Sequence, residues 1–205
     1  MLAVNQLACR RGLSTLFSHL DLNLNAGELI YLKGANGSGK TSLLRIIAGL
    51  SSSEAGTISW HGADIQSARE DYIANLLYIG HAPAVKEDLT VAENLLTSLR
   101  MAGSFSTEEM INQALSEVGL SKRKSLPTRV LSQGQKKRLA LARLSIERRP
   151  LWILDEPFNA LDIEAIKWLE AQLEKHLSQG GMVILTSHQV PNINPKKVCE
   201  FNLST

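Results

Sequence analysis

The chain has 205 residues, 44% of them hydrophobic, and a formal net charge of +2, so it can bury the core of one α/β unit and carries too little charge to argue for a nucleic-acid surface. Its two cysteines, Cys9 and Cys199, stand far apart with no Cys-x-x-Cys pair, which excludes a written zinc or haem-attachment motif and suits a reducing compartment. No basic segment followed by an apolar core opens the sequence, and no apolar run approaches the roughly 18 residues needed to span a bilayer, so membrane contact is expected only through a partner.

In chain order, Leu2 to Cys9 and the period-two alternation Leu20-Asp21-Leu22-Asn23-Leu24 predict strands, followed by a turn at Ala26-Gly27. Leu29 to Leu32 predicts a short buried strand that runs into Gly34-Ala35-Asn36-Gly37-Ser38-Gly39-Lys40-Thr41, the pattern Gly-x4-Gly-Lys-Thr. Ser42 to Ala48 then reads as a helix with Gly49 as its stop. Glycines in such a loop let successive backbone N–H groups converge on a phosphate. Lys40 is placed to reach the β and γ oxygens of a bound nucleotide, and Thr41 to ligate Mg²⁺.

Thr57 to Trp60 and Leu76 to Ile79 are further strand candidates. From Thr90 the pattern turns helical. Thr90-x-x-Glu93 and Ser106-x-x-Glu109 both spell capping boxes, and Gly119 is a helix stop. Pro150 is expected to end a helix begun near Ser132, and Leu151 to Leu154 to return as a buried strand. A helix from Asp162 to about Ser178 and a strand Met182 to Thr186 complete a parallel core. Residues 1–80 and 150–205, approximately, read as core plus β-subdomain, and about 81–149 as an inserted helical subdomain, all within a single domain. The basic cluster Lys136, Lys137, Arg138, Arg143, Arg148 and Arg149 reads as a solvated helix face rather than a nucleic-acid or headgroup site.

Asp155 and Glu156 fall at the C-terminal end of an apolar strand, where open α/β sheets present ligands. Asp155 is placed to hold Mg²⁺ through its water shell, and Glu156 to orient and deprotonate an attacking water. Ser132 and Gly134 introduce the helix Gln135 to Ile146, whose N-terminal donors suit an anion. His188, just after the strand Met182 to Thr186, is placed to reach a γ-phosphate.

Taken together, these motifs resemble the ATP-binding cassette family over nearly the whole chain. Gly34 to Thr41, with Ser42, is similar to the Walker A loop, Leu131-Ser132-Gln133-Gly134-Gln135 to the signature, and Leu151 to Glu156 to the Walker B strand with its base. Asn159-Ala160-Leu161-Asp162 is similar to the D-loop, and His188 to the switch histidine. The resemblance implies a P-loop NTPase fold: a RecA-like core, an antiparallel β-subdomain and a helical subdomain. It also implies ATP and Mg²⁺ as cofactors, and head-to-tail self-association with each ATP between one Walker A loop and the other chain's signature. Four positions depart from the pattern. Gln133 stands where glycine is usual, Asn159 opens the D-loop where serine is common, and the adenine-stacking aromatic expected near Arg10-Arg11-Gly12 is absent, with the Arg11 guanidinium as a stacking alternative. His81 occupies the place of the glutamine that links Mg²⁺ to the transmembrane partner.

The stretches Leu76 to Pro83, Leu89 to Leu95, Leu151 to Phe158 and Ser187-His188-Gln189 narrow the resemblance to the ATP-binding subunits of the cytochrome c maturation, or haem exporter, branch. That implies a peripheral subunit on the cytoplasmic face of a bacterial inner membrane. It would pair with a CcmB-type membrane protein and act with CcmC and CcmD to release haem-loaded CcmE. Two alternatives stay open: the ATPase of another transporter, and a soluble cassette ATPase acting on nucleic acid or ribosomes, for which no tandem cassette or coiled-coil arm is visible.

Overall fold

Alternation between buried Leu20, Leu22 and Leu24 and exposed Asp21 and Asn23 lays one face of β2 (Ser14–Leu24) on a core. β2 pairs antiparallel with β1 (Leu2–Arg11), which pairs antiparallel with β4 (Ala55–Trp60), and β4 with the two-residue β5 (Ala63–Asp64). The sheet order is β2-β1-β4-β5. A second sheet has the order β6-β7-β8-β3-β9, built from β3 (Leu29–Lys33), β6 (Leu76–Ile79), β7 (Leu151–Asp155), β8 (Met182–Thr186) and β9 (Val198–Asn202). The pairs β3/β8, β3/β9 and β7/β8 are parallel. β7 and β8 are buried at every residue, as expected for strands covered on both faces.

The structure, a computed structural model, describes residues 1–187, 191–193 and 198–203. It divides into two units, Met1–Tyr78 with Arg149–Glu156 and Glu174–Thr205, and Ile79–Arg148 with Pro157–Leu173. Residues 157–173, expected with the core, group with the helices. The first unit holds both sheets, α1 (Lys40–Ile47) and the short α2 (Arg69–Ala74) around one core that includes Leu2, Leu43, Ile47, Trp60, Tyr72, Ile153 and Ile184.

In the second unit α3 (Val91–Met101), α4 (Glu108–Glu117) and α5 (Gln133–Leu141) enclose Leu95, Leu99, Leu115 and Leu139, and Trp168 of α6 (Ile163–Ser178) packs against them. Thr90 caps α3 with the expected box: its Oγ1 accepts from the Glu93 N–H at 3.2 Å, while the Thr90 N–H donates to the Glu93 carboxylate at 2.8 Å. The box expected at Ser106 is corrected. Thr107 caps α4, accepting from the Met110 N–H at 3.3 Å.

Pro150 does not end the signature helix. α5 tightens into a 3-10 turn over Ala142–Ser145, and Arg143 Nε donates to the buried carboxylate of Glu147 at 2.5 Å, short of the proline. The basic cluster is likewise not one solvated face. Lys137 is only 4% exposed and directs its ammonium to the Gly80 carbonyl at 3.4 Å, Lys136 pairs with Glu87 at 2.9 Å, and Arg149 donates to the Ala74 carbonyl.

Candidate nucleotide site

β3 delivers the chain into the glycine loop, and α1 begins at its end, with Gly39 as N-cap at φ +98°. Gly34 sits where no side chain fits. A Cβ there would lie 2.7 Å from Ser38 Oγ and 2.8 Å from the Leu203 carbonyl, so the loop is drawn tight against itself and the end of β9. Within the loop the Ser38 N–H donates to the Ala35 carbonyl at 3.2 Å. Lys40 curls its ammonium over the loop onto the carbonyls of Gly34 at 2.7 Å and Ala35 at 3.0 Å. Asn36 and Gly37 form the exposed tip, and Ser42, half-buried, follows Thr41 in the first turn of α1. Gly49 closes α1 as expected, with φ +68° and its N–H donating to the Ile46 carbonyl.

Thr41, in the first turn of α1, donates from Oγ1 to Asp155 Oδ2 at 2.9 Å, joining the loop's helix to the end of β7. Asp155 pairs in register with Thr186 on β8, and Thr186 Oγ1 donates to the other Asp155 oxygen at 2.7 Å. The same Thr186 oxygen accepts from the Glu156 N–H at 2.9 Å. Glu156 is held at φ +48°, a left-handed conformation that costs a non-glycine residue about 1–2 kcal/mol. Asp155 and Glu156 are 1% and 7% exposed. Two hard oxygens, the Thr41 hydroxyl and the Asp155 carboxylate, suit Mg²⁺, which binds through one or two carboxylates plus phosphate and water rather than an all-protein cage. Among the described residues no group of three His, Cys, Asp or Glu side chains forms such a cage.

In the second unit, Ser132 is the N-cap of α5 and exchanges hydrogen bonds with Gln135: its Oγ accepts from the Gln135 N–H at 3.3 Å, and its N–H donates to the Gln135 amide oxygen at 3.0 Å. The Gln135 side chain thus holds its own helix start. Gly134 leaves room for the D-loop, since a Cβ there would lie 2.4 Å from the Ala160 carbonyl. His81 is exposed in the segment after β6. Arg11, at the end of β1, is exposed beside the turn at Gly12. His188 lies outside the described residues. Sequence reasoning missed Thr186 and Tyr31, whose hydroxyl donates to the Ser187 carbonyl at 2.7 Å; the only signal was a polar residue inside each of two apolar strands.

Residues 17–159 match the family described as ABC transporter. The chain belongs to the ATP-binding cassette family, and it is an ABC-type ATPase. Within that family its relatives include the cytochrome c biogenesis ATP-binding export protein CcmA of Dechloromonas aromatica (strain RCB), 49% identical over 99% of this chain and 100% of that protein. CcmA of Escherichia coli (strain K12) is 43% identical over 100% of this chain and 97% of its own. Among solved structures, an ATP binding subunit of an ABC transporter superposes with a TM-score of 0.81 at 29% identity, covering 91% of this chain and 79% of that one. The dimeric structure of MJ0796, a bacterial ABC transporter cassette, gives 0.82 at 21% identity over 99% and 95%, a likeness of fold.

Proposed function

We propose that the loop Gly34 to Thr41 with Ser42 holds the phosphates of ATP, that Thr41 and Asp155 hold Mg²⁺, and that Glu156 is the general base for water attack. The observation that carries this reading is the chain of hydrogen bonds Thr41–Asp155–Thr186–Glu156, which brings metal-type oxygens and a carboxylate together at the strand ends. Lys40 contributes a point charge to the β and γ oxygens once a nucleotide replaces its carbonyl contacts. When bound, Mg²⁺ supplies positive charge that offsets the phosphate oxygens. Glu156 orients the attacking water and accepts its proton, and His188 donates a hydrogen bond to the γ-phosphate.

Ser132, Gly134 and Gln135 belong to a helix start that suits an anion. We assign them to the nucleotide of a second, head-to-tail copy. The names of the CcmA relatives support a role in cytochrome c biogenesis. We further propose a peripheral subunit on the cytoplasmic face of the bacterial inner membrane, working with a CcmB-type membrane protein, CcmC and CcmD to release haem-loaded CcmE, as the resemblance implies. Among the described residues no helix is long and apolar enough to cross a membrane. Glu156→Gln keeps shape and removes the base. Its turnover is expected to fall at least about a hundredfold while ATP still binds. Turnover near wild type in that variant would remove Glu156 from the mechanism.

A further inference from the structure

Asn94 is a polar residue on the buried face of α3, beside Val91 and Leu95, and only 4% exposed. Its amide closes on one stretch of backbone. Oδ1 accepts from the Lys86 N–H at 2.8 Å, and Nδ2 reaches the carbonyls of Lys86 at 2.9 Å, Leu89 at 3.2 Å and Thr90 at 3.1 Å. Buried Thr128 joins them: its Oγ1 donates to the same Lys86 carbonyl at 2.7 Å and stands 3.3 Å from Asn94 Nδ2. α3 does not need this amide for its own start, which Thr90 and Glu93 already cap.

The loop of residues 86–89, so pinned, holds the start of the signature helix from both sides. Ahead of Ser132, the Thr128 N–H donates to the Leu89 carbonyl at 2.9 Å and the Arg129 N–H to the Glu87 carbonyl at 3.1 Å. The Thr128 carbonyl in turn accepts from the N–H of buried Leu131 at 3.1 Å, one residue before Ser132. Beyond Ser132, Lys136 Nζ pairs with Glu87 at 2.9 Å, and the Lys136 N–H donates to the Ser132 carbonyl at 2.9 Å. Ser132 therefore stands midway between two attachments to one loop, at Thr128 and at Lys136. The Glu87 carboxylate is exposed, so its ion pair adds little, and the buried amide and hydroxyl carry the constraint.

We propose that Asn94, acting with Thr128, is a positioning residue for the signature: by pinning the loop it fixes where Ser132 and the start of α5 meet the nucleotide of a second copy. This rests on the assignment of Ser132 and Gly134 to that nucleotide, and the experiment separates the two. The full-length chain carrying Glu156→Gln is the parent, and Asn94→Ala, Thr128→Val and Thr128→Ser are each added to it. Sedimentation gives the dimer dissociation constant with ATP and Mg²⁺, and a fluorescent ATP analogue gives the affinity of the single chain at concentrations too low for dimers. Thr128→Val keeps the volume and removes the hydroxyl, so it is expected to weaken the dimer about tenfold, since each dimer closes on two signatures. Asn94→Ala should weaken it at least as much. Single-chain affinity should stay within about twofold in both, and Thr128→Ser should return the dimer to within about twofold of the parent. A parent-like dimer in Thr128→Val, with only the urea midpoint lowered, would mark a merely structural role and overturn the proposal. So would a parallel loss of single-chain affinity, or a Thr128→Ser variant no better than Thr128→Val. A parent that stays monomeric with ATP would instead sink the assignment of Ser132 and Gly134, and this role with it.

Discussion

The imidazole of His176 on α6 lies flat against the indole of Trp152 on β7, with ring centroids 3.8 Å apart and planes 6° apart. Burial pushes the His176 imidazole down from 6.5 to about 4, and backbone hydrogen bonds at Met182 and Pro150 only partly oppose it. The folded chain keeps this ring neutral where the unfolded chain would protonate it. Between about pH 6.5 and 4 the unfolded state binds the extra proton, so stability falls as pH drops through that window and levels off below it. The loss should reach at most about 3 kcal/mol from this one residue. Urea unfolding at pH 7, 5.5 and 4.5 should show it, and His176→Phe, which keeps the stack, should flatten the slope. Equal pH slopes in the two proteins would assign the acid sensitivity elsewhere.

Thr186→Val tests the hinge between the two carboxylates. Valine fills the same volume but removes the donor to Asp155 and the acceptor for the Glu156 N–H. Both groups are buried, so the fold should lose about 2 kcal/mol. With Glu156 already in a left-handed conformation, turnover should fall about tenfold or more. Thr186→Ser, which keeps the hydroxyl, should recover most of both. Chemical denaturation and steady-state ATPase assays check the two arms separately.

At Gly134 the D-loop backbone, not the helix, forbids a side chain. Gly134→Ala places a methyl 2.4 Å from the Ala160 carbonyl, and Ala160 is itself at φ +62°. Forcing the two apart should cost about 1–3 kcal/mol. If the signature closes on a second copy's nucleotide, Glu156→Gln should sediment as a dimer with ATP and mainly as a monomer without it, by linkage. Adding Gly134→Ala should abolish the ATP-induced dimer. A monomer in both states for Glu156→Gln would rule out the composite site in the isolated chain.

His81 is an exposed residue of the segment after β6. His81→Ala should therefore leave folding and ATP binding within about a factor of two of wild type. ATPase stimulation by the membrane complex should be lost, and His81→Gln should keep much of it. Reconstituted complexes assayed side by side decide this, and equal stimulation in wild type and His81→Ala would discard the coupling role.

Much of the site was legible because its parts are local. β3, β6 and β8 follow from short apolar runs bounded by turn residues, and the glycine loop, Asp155 and Glu156 follow from spacing alone. What escaped depends on pairing between distant segments. Thr186 gains its role only when β8 registers beside β7, and Tyr31 only when β3 lies beside β8. Lys137 was misread because helical periodicity assigns lysine to the outer face, whereas α5 buries Lys137 along with Leu139 and Leu141. β9 went unnoticed because Val198–Asn202 is an edge strand without a continuous apolar run. At α4, adjacent Ser106 and Thr107 both offered a capping hydroxyl, and pattern alone does not choose between them.

The strand that feeds the phosphate loop has no sheet neighbour close to it in sequence. β3 is flanked by β8 and β9, and the Tyr31 hydroxyl finds its acceptor 156 positions later. During synthesis the loop must therefore wait, with β3 unpaired, until the chain through β8 has emerged. Such late closure favours slow folding and a long exposure of an apolar strand. Chaperone demand and truncation should accordingly fall hardest on nucleotide binding: a ribosome-stalled chain ending before β8 should have its antiparallel sheet in place while still failing to retain ATP.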